Sequence, residues 1–311
     1  MRSLIIRLPN HLGDACMSLP ALDRLAAEGV DLSLAGRPWA AELFQAYAWP
    51  VVALGARGRD RVGALRAWRV QRDHGRDALL LTNSFSSALE FRLAGLRPTG
   101  YATDGRSLLL KRAIALPRTS HGGVHMVQYY LHLACEALGL GLNAAPAPHL
   151  RLAPQAQERA HAALARAQAR GQYVVLCPVA RGRHRGQVKS WEGFGRLSRE
   201  LIERGHEVVV CPGPGEEQAA RSAAPGARFL EALDLGAFGA LLSESRLVIA
   251  NDSGPGHLAA AVGARLVGIF GVTDPTQTRP LGPHVQLVGG AAGWPPYEEV
   301  ARTVASRLAE G

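Results

Sequence analysis

The chain has 311 residues, of which 47% are hydrophobic and 20% charged, and its formal net charge is +9. This length fits two domains of about 150 residues each, and the absence of any apolar run near the ~20 residues of a membrane-spanning helix argues against an integral membrane protein. The positive charge indicates an anionic partner, although codon usage can also enrich arginine. With only 6% aromatic residues and no recognition motif, we expect a membrane surface or phosphorylated glycolipid rather than nucleic acid.

Two further features concern the compartment and metal binding. The opening apolar stretch, LIIRL, is too short for the core of a signal peptide, so we expect a cytoplasmic protein. The four cysteines, at positions 16, 135, 177 and 211, form no CxxC pair. A cysteine in or beside an apolar run is usually a small core residue, so we expect neither a disulfide framework nor a zinc site.

The first predicted unit is a strand over 4–8, followed by a loop and a helix. The loop carries Gly13 but no GxGxxG, which argues against a dinucleotide-dependent dehydrogenase. Asp14 stands where the loop meets the helix, and on spacing alone it is a candidate N-cap. Pro20 is expected to kink the helix or to start a new one.

Further strands are predicted over 30–34, 51–54 and 78–81, with helices between them, which continues a βα alternation. The segment 57–77 is rich in arginine and is typical of a solvated helix face. The alternative is a basic rim for an acceptor's phosphates, carried by Arg57, Arg59 and Arg61. The alanine- and proline-rich segment 141–154 is the best candidate linker, and we place the domain boundary there.

The second half repeats the alternation from a strand over 173–177. A loop follows with four basic residues, Arg181, Arg183, Arg185 and Lys189, which at the end of a strand could bind a diphosphate. Trp191, which opens an amphipathic helix, is expected in the core. Another strand, over 207–211, leads into a glycine-rich turn with Glu216 and Glu217.

The most informative stretch is 246–275, which combines two apolar strands, over 247–250 and 266–270, with the turn NDSGPG. A short helix over 257–264 is predicted between the strands. Pro255 suits a first helical position, and either Asp252 or Ser253 could cap the helix. A helix that begins at the carboxyl end of a buried strand is a common phosphate site, but a capped helix with no ligand fits the pattern equally well.

Three separated motifs resemble glycosyltransferase family 9, the lipopolysaccharide heptosyltransferases. The first is Gly13-Asp14 followed by Pro-Ala-Leu at 20–22. The second is the K-x-W of Lys189 and Trp191. The third is NDSGPGHLAAAVG, which is followed by a strand and a G-x-T-D-P loop. Pro255 departs from the family, which usually has Leu or Met there.

The resemblance implies an α/β protein with the GT-B fold, in which two doubly wound Rossmann-like domains face each other across a cleft. Residues 1–148 would bind the acceptor and residues 149–311 the nucleotide-sugar donor. A heptose, carried by ADP-heptose in the best-known members, would pass with inversion to the lipopolysaccharide inner core. The enzyme would contact the cytoplasmic face of the inner membrane peripherally.

The resemblance also assigns residues. Asp14 would be the catalytic base, and Glu216 or Glu217 would bind the ribose. The remaining donor-binding residues would be Lys189, Asp252, Ser253, Gly254 and His257. No metal or cofactor is expected, because the chain lacks a DxD carboxylate pair and offers cations for the leaving diphosphate instead.

Two other functions remain open at this stage. One is a sugar-nucleotide epimerase with the GT-B fold, which would share the phosphate turn but would need no acceptor. The other is a non-enzymatic basic protein that binds polyanions or membranes through the arginines of 57–76, and it predicts no requirement for Asp14.

Overall fold

The computed structural model describes residues 3–72, 75–117, 123–169, 171–180, 183–184 and 186–310, with the side chains of 72, 183 and 184 left aside. The chain forms two compact units, Met1–Pro148 and His149–Gly311. Each contains a six-stranded sheet with helices on both sides.

The first unit is built on a fully parallel sheet with the strand order β3-β2-β1-β4-β5-β6. In the central strands nearly every side chain is buried, as in a sheet covered on both faces. The strands are β1 (Ser3–Arg7), β2 (Asp31–Gly36), β3 (Val51–Ala53), β4 (Asp77–Leu80), β5 (Arg97–Tyr101) and β6 (Arg112–Ile114).

In the described part of this unit, six helices and one 3₁₀ turn cover the sheet. The helix after β1 ends at Met17 and a new one starts at Leu19 with Pro20 in its first turn, so Pro20 marks a restart. The helices are α1 (Leu12–Met17), α2 (Leu19–Ala27), α3 (Trp39–Leu43), α4 (Gly58–Arg72), α5 (Phe85–Leu93) and α6 (Met126–Leu138), and the 3₁₀ turn is Arg106–Leu109.

The second unit repeats the architecture with the parallel order β11-β10-β7-β12-β13-β14, and a small antiparallel hairpin, β8-β9, stands beside it. Its strands are β7 (Tyr173–Cys177), β8 (Arg183–His184), β9 (Gln187–Val188), β10 (Glu207–Val210), β11 (Arg228–Phe229), β12 (Leu247–Asn251), β13 (Leu266–Phe270) and β14 (Val285–Gly289). Its helices are α7 (Pro154–Arg166), α8 (Phe194–Glu203), α9 (Glu217–Ala223), α10 (Leu235–Ser243), α11 (Gly254–Ala261), α12 (Pro275–Thr278) and α13 (Tyr297–Ala309).

Both sheets have the strand order of a dinucleotide-type Rossmann fold, in which the order of the strands reverses beside the first strand of each unit. In the first unit the reversal lies between β1 and β4, and in the second between β7 and β12. Loops on the two sides of such a point separate and leave a crevice at the carboxyl ends of the strands. The topology therefore indicates one candidate site in each unit.

Several elements differ from the sequence prediction. Strands β5, β6, β11 and β14 and the hairpin were not predicted, because they are short or contain residues such as Pro98 and Gly100 that disfavour strands. The helix predicted over 257–264 begins at Gly254 and ends before Gly263, which has φ +78°. Within the described residues, no helix combines the length and apolar character needed to cross a membrane.

Candidate active site

Asn251 joins the two loops at the switch point of the second unit. It ends β12 and is only 1% exposed. Its side-chain amide donates to the Pro178 carbonyl at 2.8 Å, and its Oδ1 accepts from the Trp191 backbone N–H at 2.9 Å. Because both of its polar atoms are satisfied in a buried position, Asn251 fixes the loop after β7 against the turn after β12. Asn251 begins the NDSGPG turn, but the sequence indicated no role for it.

Lys189 and Asp252 are brought together by this arrangement. The Lys189 ammonium lies 2.8 Å from Asp252 Oδ2, with side-chain exposures of 22% and 7%. The Thr273 hydroxyl, from the loop after β13, donates to the same oxygen at 2.6 Å. The Asp252 carboxylate is thus satisfied internally, while an ammonium group has three donors and can also bind a second anion.

The N-terminus of α11 lies beside this pair. Ser253 is its N-cap residue, but the Ser253 hydroxyl donates backwards to the Asn251 carbonyl at 3.1 Å and does not cap the helix. Because the Asp252 carboxylate is turned to Lys189 and Thr273, the prediction that Asp252 or Ser253 caps the helix is wrong. The helix thus presents the Gly254 amide and the positive end of its dipole without a side-chain cap.

His257 lies at the end of the first turn of this helix and is 7% exposed. Its backbone N–H approaches the Ser253 carbonyl at 3.4 Å, in the first turn of the helix hydrogen-bonding pattern. The four residues of this turn that are predicted to bind the donor, Asp252, Ser253, Gly254 and His257, therefore lie at one helix end, two of them buried and two partly exposed.

Glu216 and Glu217 stand at the carboxyl end of β10, the neighbour of β7. Glu216 is the N-cap residue of α9, is half-buried, and its Oε2 accepts from the Gly213 N–H at 3.2 Å. Glu217 is exposed and accepts from the Gly215 N–H at 3.2 Å. The guanidinium of Arg221 lies over the Phe229 ring, so it is not turned to Glu217 in an i,i+4 pair.

The corresponding point of the first unit holds Asp14. His11, not Asp14, is the N-cap residue of α1, and Asp14 lies in the first helical turn, half-buried. The N-cap interpretation of Asp14 is therefore wrong. The hydroxyl of Tyr130, on α6, donates to Asp14 Oδ1 at 3.3 Å, and burial raises the Tyr130 pKa well above its ordinary value. This tyrosine therefore stays a hydrogen-bond donor at neutral pH.

A network of polar side chains that the sequence did not reveal follows β4 and β5 at the same edge. Asn83 donates to the Tyr129 hydroxyl at 2.7 Å, and its Oδ1 accepts from Arg106, which is fully buried. Tyr101 donates to the Tyr129 carbonyl at 2.8 Å, and its hydroxyl also lies 2.8 Å from His132 Nδ1. Neither the histidine nor the buried arginine had a motif that could have identified it.

The three arginines predicted to bind the acceptor differ in their environments. Arg57 and Arg59 are exposed, and Arg59 lies 3.7 Å from Asp60. Arg61 binds groups of its own unit. Its Nε donates to Glu90 Oε2 at 2.9 Å, its Nη2 donates to the other oxygen of the same carboxylate, and its Nη1 donates to nearby backbone carbonyls. The donors of Arg61 are thus used to hold α4 against α5.

The basic loop after β7 is only partly described. Arg181 and Arg185 lie outside the described residues, as does the side chain of Arg183. Lys189 is the member of the predicted basic set whose side chain lies within the described residues. Trp191 is 6% exposed and stacks on Tyr297 at a centroid distance of 5.9 Å, which confirms its expected place in the core.

Comparison with known proteins gives consistent matches. The chain is 35% identical over 119 residues to lipopolysaccharide heptosyltransferase 3 of Escherichia coli, which covers 35% of this chain and 34% of that protein. It is 27% identical over 240 residues to lipopolysaccharide heptosyltransferase 2 of Escherichia coli (strain K12), covering 70% and 66%. The matches thus span between a third and two thirds of these relatives.

The structure is also similar to a solved one. It superposes on E. coli ADP-heptose lipopolysaccharide heptosyltransferase II with a TM-score of 0.80 and 22% identity, covering 100% of this chain and 99% of that one. The predicted fold class, an α/β protein of GT-B type with two Rossmann-like domains, is confirmed. The sequence model of glycosyltransferase family 9 (heptosyltransferase) matches residues 68–304, and the chain therefore belongs to glycosyltransferase family 9.

Proposed function

We propose that this protein is an inverting glycosyltransferase that transfers a heptose from ADP-heptose to the inner core of lipopolysaccharide. The observation that carries the proposal is the pairing of an uncapped helix N-terminus, at Ser253 and Gly254, with the anchored ammonium of Lys189. Membership of family 9 and the names of the relatives support the sugar class.

The donor's diphosphate would bind at this helix end. The Gly254 amide and the helix dipole attract negative charge, and the Lys189 ammonium adds a full positive charge whose position is held by Asp252 and Thr273. Asp252 therefore acts as a positioning residue, because its own carboxylate would repel a diphosphate. As the sugar leaves, these groups stabilise the charge that grows on the diphosphate, without a requirement for a metal ion.

The ribose of the donor would lie towards β10, where Glu216 and Glu217 follow the strand. Either carboxylate could accept hydrogen bonds from the ribose hydroxyls. We propose that Glu216 binds the ribose, because its half-buried side chain is held in place by a hydrogen bond from the Gly213 amide, while Glu217 is exposed. A carboxylate that is already ordered by a hydrogen bond loses less side-chain entropy when it binds a ligand.

Transfer requires the acceptor hydroxyl to lose a proton as its oxygen attacks the anomeric carbon. In our proposal this oxygen forms the new bond to carbon, the bond from that carbon to the diphosphate breaks, and its electron pair leaves with the diphosphate. The proton passes to Asp14. Attack opposite the leaving group inverts the anomeric carbon. A positioned carboxylate typically contributes 10²- to 10⁴-fold to such a step.

The acceptor is expected to be anionic and lipid-linked, which fits the net charge of +9. Arg57 and Arg59, exposed at the start of α4, would attract its phosphates by their field. We accordingly propose that the enzyme works at the cytoplasmic face of the inner membrane. Arg61 is left out of this role because its donors are bound to Glu90 and to backbone carbonyls.

The test is a transfer assay with purified protein, ADP-heptose and a delipidated inner-core acceptor, in which ADP release and product mass are measured in parallel. We expect ADP release to require the acceptor and to persist in EDTA. Sugar-nucleotide conversion without an acceptor would favour an epimerase instead, and the absence of both reactions would overturn the proposal.

A further inference from the structure

The outer face of α5 carries an exposed apolar stripe. Phe85, Leu89 and Leu93 are 48%, 38% and 53% exposed, and their spacing of four residues places them on one side of the helix. Single exposed apolar residues are common, but a row along one helix is the pattern of an interaction surface.

Two elements that contact α5 carry exposed apolar side chains as well. Val70, on the adjacent helix α4, is 74% exposed. Leu108, in the 3₁₀ turn that packs against α5, is 94% exposed. We refer to the α5 stripe together with Val70 and Leu108 as the apolar ridge.

Arginines flank the apolar ridge, and few acidic groups oppose them. The sequence of α4 has five arginines and one aspartate. Arg66 Nη2, on α4, donates to the Leu93 carbonyl at 2.8 Å. The charge of Arg66 therefore lies beside the end of the stripe. Arg92 is exposed on α5 itself, while the one carboxylate of α5, Glu90, is buried against Arg61.

We propose that the apolar ridge and its arginines bind the surface of an anionic lipid bilayer. Phenylalanine, leucine and valine side chains would enter the boundary between headgroups and acyl chains, and the guanidinium groups would contact lipid phosphates. A second copy of the chain is a poorer occupant, because pairing this face with itself would bring like charges together. The charge complementarity therefore selects the bilayer.

If the acceptor is lipid-linked, binding of the bilayer at this surface would bring the acceptor to the enzyme. In that respect the inference rests on the proposed function. Phe85 opens α5 directly after the loop that follows β4, at the carboxyl edge of the sheet, and Asp14 lies at the same edge. A bilayer bound along the ridge would thus present lipid-linked sugars near the edge that carries the proposed base.

The apolar contribution is tested by sedimentation with phosphatidylcholine vesicles that contain phosphatidylglycerol. We expect the wild type to bind them, and the triple variant Phe85→Ser/Leu89→Ser/Leu93→Ser to bind about tenfold or more weakly. The matched control is Leu142→Ser/Ile202→Ser, whose side chains are 45% and 37% exposed in other parts of the chain. It should bind like the wild type, and all variants should keep the melting temperature.

The charge contribution is tested with Arg66→Gln/Arg92→Gln, against Arg199→Gln/Arg302→Gln as exposed controls in the second unit. We expect about tenfold weaker binding in the first variant only. Binding of the wild type should fall with added salt and on vesicles of phosphatidylcholine alone.

Two results would overturn the inference: a wild type that does not bind anionic vesicles, or a triple variant that binds them equally well. A wild-type dimer that becomes monomeric in the triple variant, by light scattering, would also overturn it and assign the ridge to self-association. Turnover of a delipidated acceptor should be unchanged in the triple variant. This separates the inference from the proposed function, whose failure would abolish transfer with any acceptor.

Discussion

Replacing Lys189 by methionine should lower both the stability of the second unit and its affinity for the donor. The ammonium lies 2.8 Å from Asp252, and two unit charges at that distance attract by ~6 kcal/mol at an effective dielectric constant of ~20. Desolvation of both groups offsets much of this. Because Lys189 is 22% exposed, we expect the free energy of unfolding to fall by about 2 kcal/mol, less than for a fully buried pair.

The donor effect is separable from this loss of stability. A charge-assisted hydrogen bond to phosphate contributes ~1.5–3 kcal/mol, so the Kd for ADP should rise about 10- to 100-fold. In Lys189→Met/Asp252→Asn no buried charge is left unpaired, and the asparagine oxygen can still accept from Thr273. This double variant should recover stability in urea unfolding but still bind ADP weakly in calorimetry.

Lys111→Met is the matched control. Lys111 forms an ion pair with Asp77 at 2.9 Å in the first unit, with 44% of its side chain exposed, so its loss should cost under ~1 kcal/mol and leave ADP affinity unchanged. The reasoning is refuted if Lys189→Met binds ADP as tightly as the wild type, or if the double variant recovers donor affinity together with stability.

Three further predictions concern single contacts. Asn251→Ala leaves the Trp191 amide and a carbonyl unpaired in the interior and should cost about 2–4 kcal/mol of unfolding free energy, whereas a loss under ~0.5 kcal/mol in urea titrations would show that the two loops are fixed by other contacts. Tyr130→Phe removes the hydrogen-bond donor that positions the Asp14 carboxyl group, so kcat should fall by about tenfold while the Kd for ADP stays unchanged; an unchanged kcat would contradict a role for this contact. Glu216→Gln should raise the KM for ADP-heptose about tenfold and Glu217→Gln should not, and the reverse pattern in steady-state kinetics would exchange the two roles.

The elements with the strongest apolar patterns were predictable. Strands β7 and β13 span the predicted residues, because an unbroken apolar run is what a strand buried on both faces requires. Strand β5 contains Pro98 and Gly100, and it forms because β4 and β6 flank it. Propensity alone cannot include that tertiary support.

The site residues were predictable as motifs but not as contacts. Lys189 and Asp252 lie on different loops and meet because β7 and β12 are neighbours in the sheet. Tyr130 reaches Asp14 from a helix more than a hundred positions later in the chain. Such partners depend on topology, and no local pattern in the sequence indicates them.

The central claim, that Asp14 is the base of a transfer reaction, is tested most directly by Asp14→Asn in the assay with ADP-heptose and a delipidated acceptor. Since Asp14 is not the N-cap residue of α1 and asparagine can still accept from Tyr130, we expect the melting temperature and the Kd for ADP to stay close to those of the wild type. We expect kcat to fall by about 10²- to 10⁴-fold, because an amide cannot take the proton. A variant that turns over at a rate close to the wild type would contradict the account.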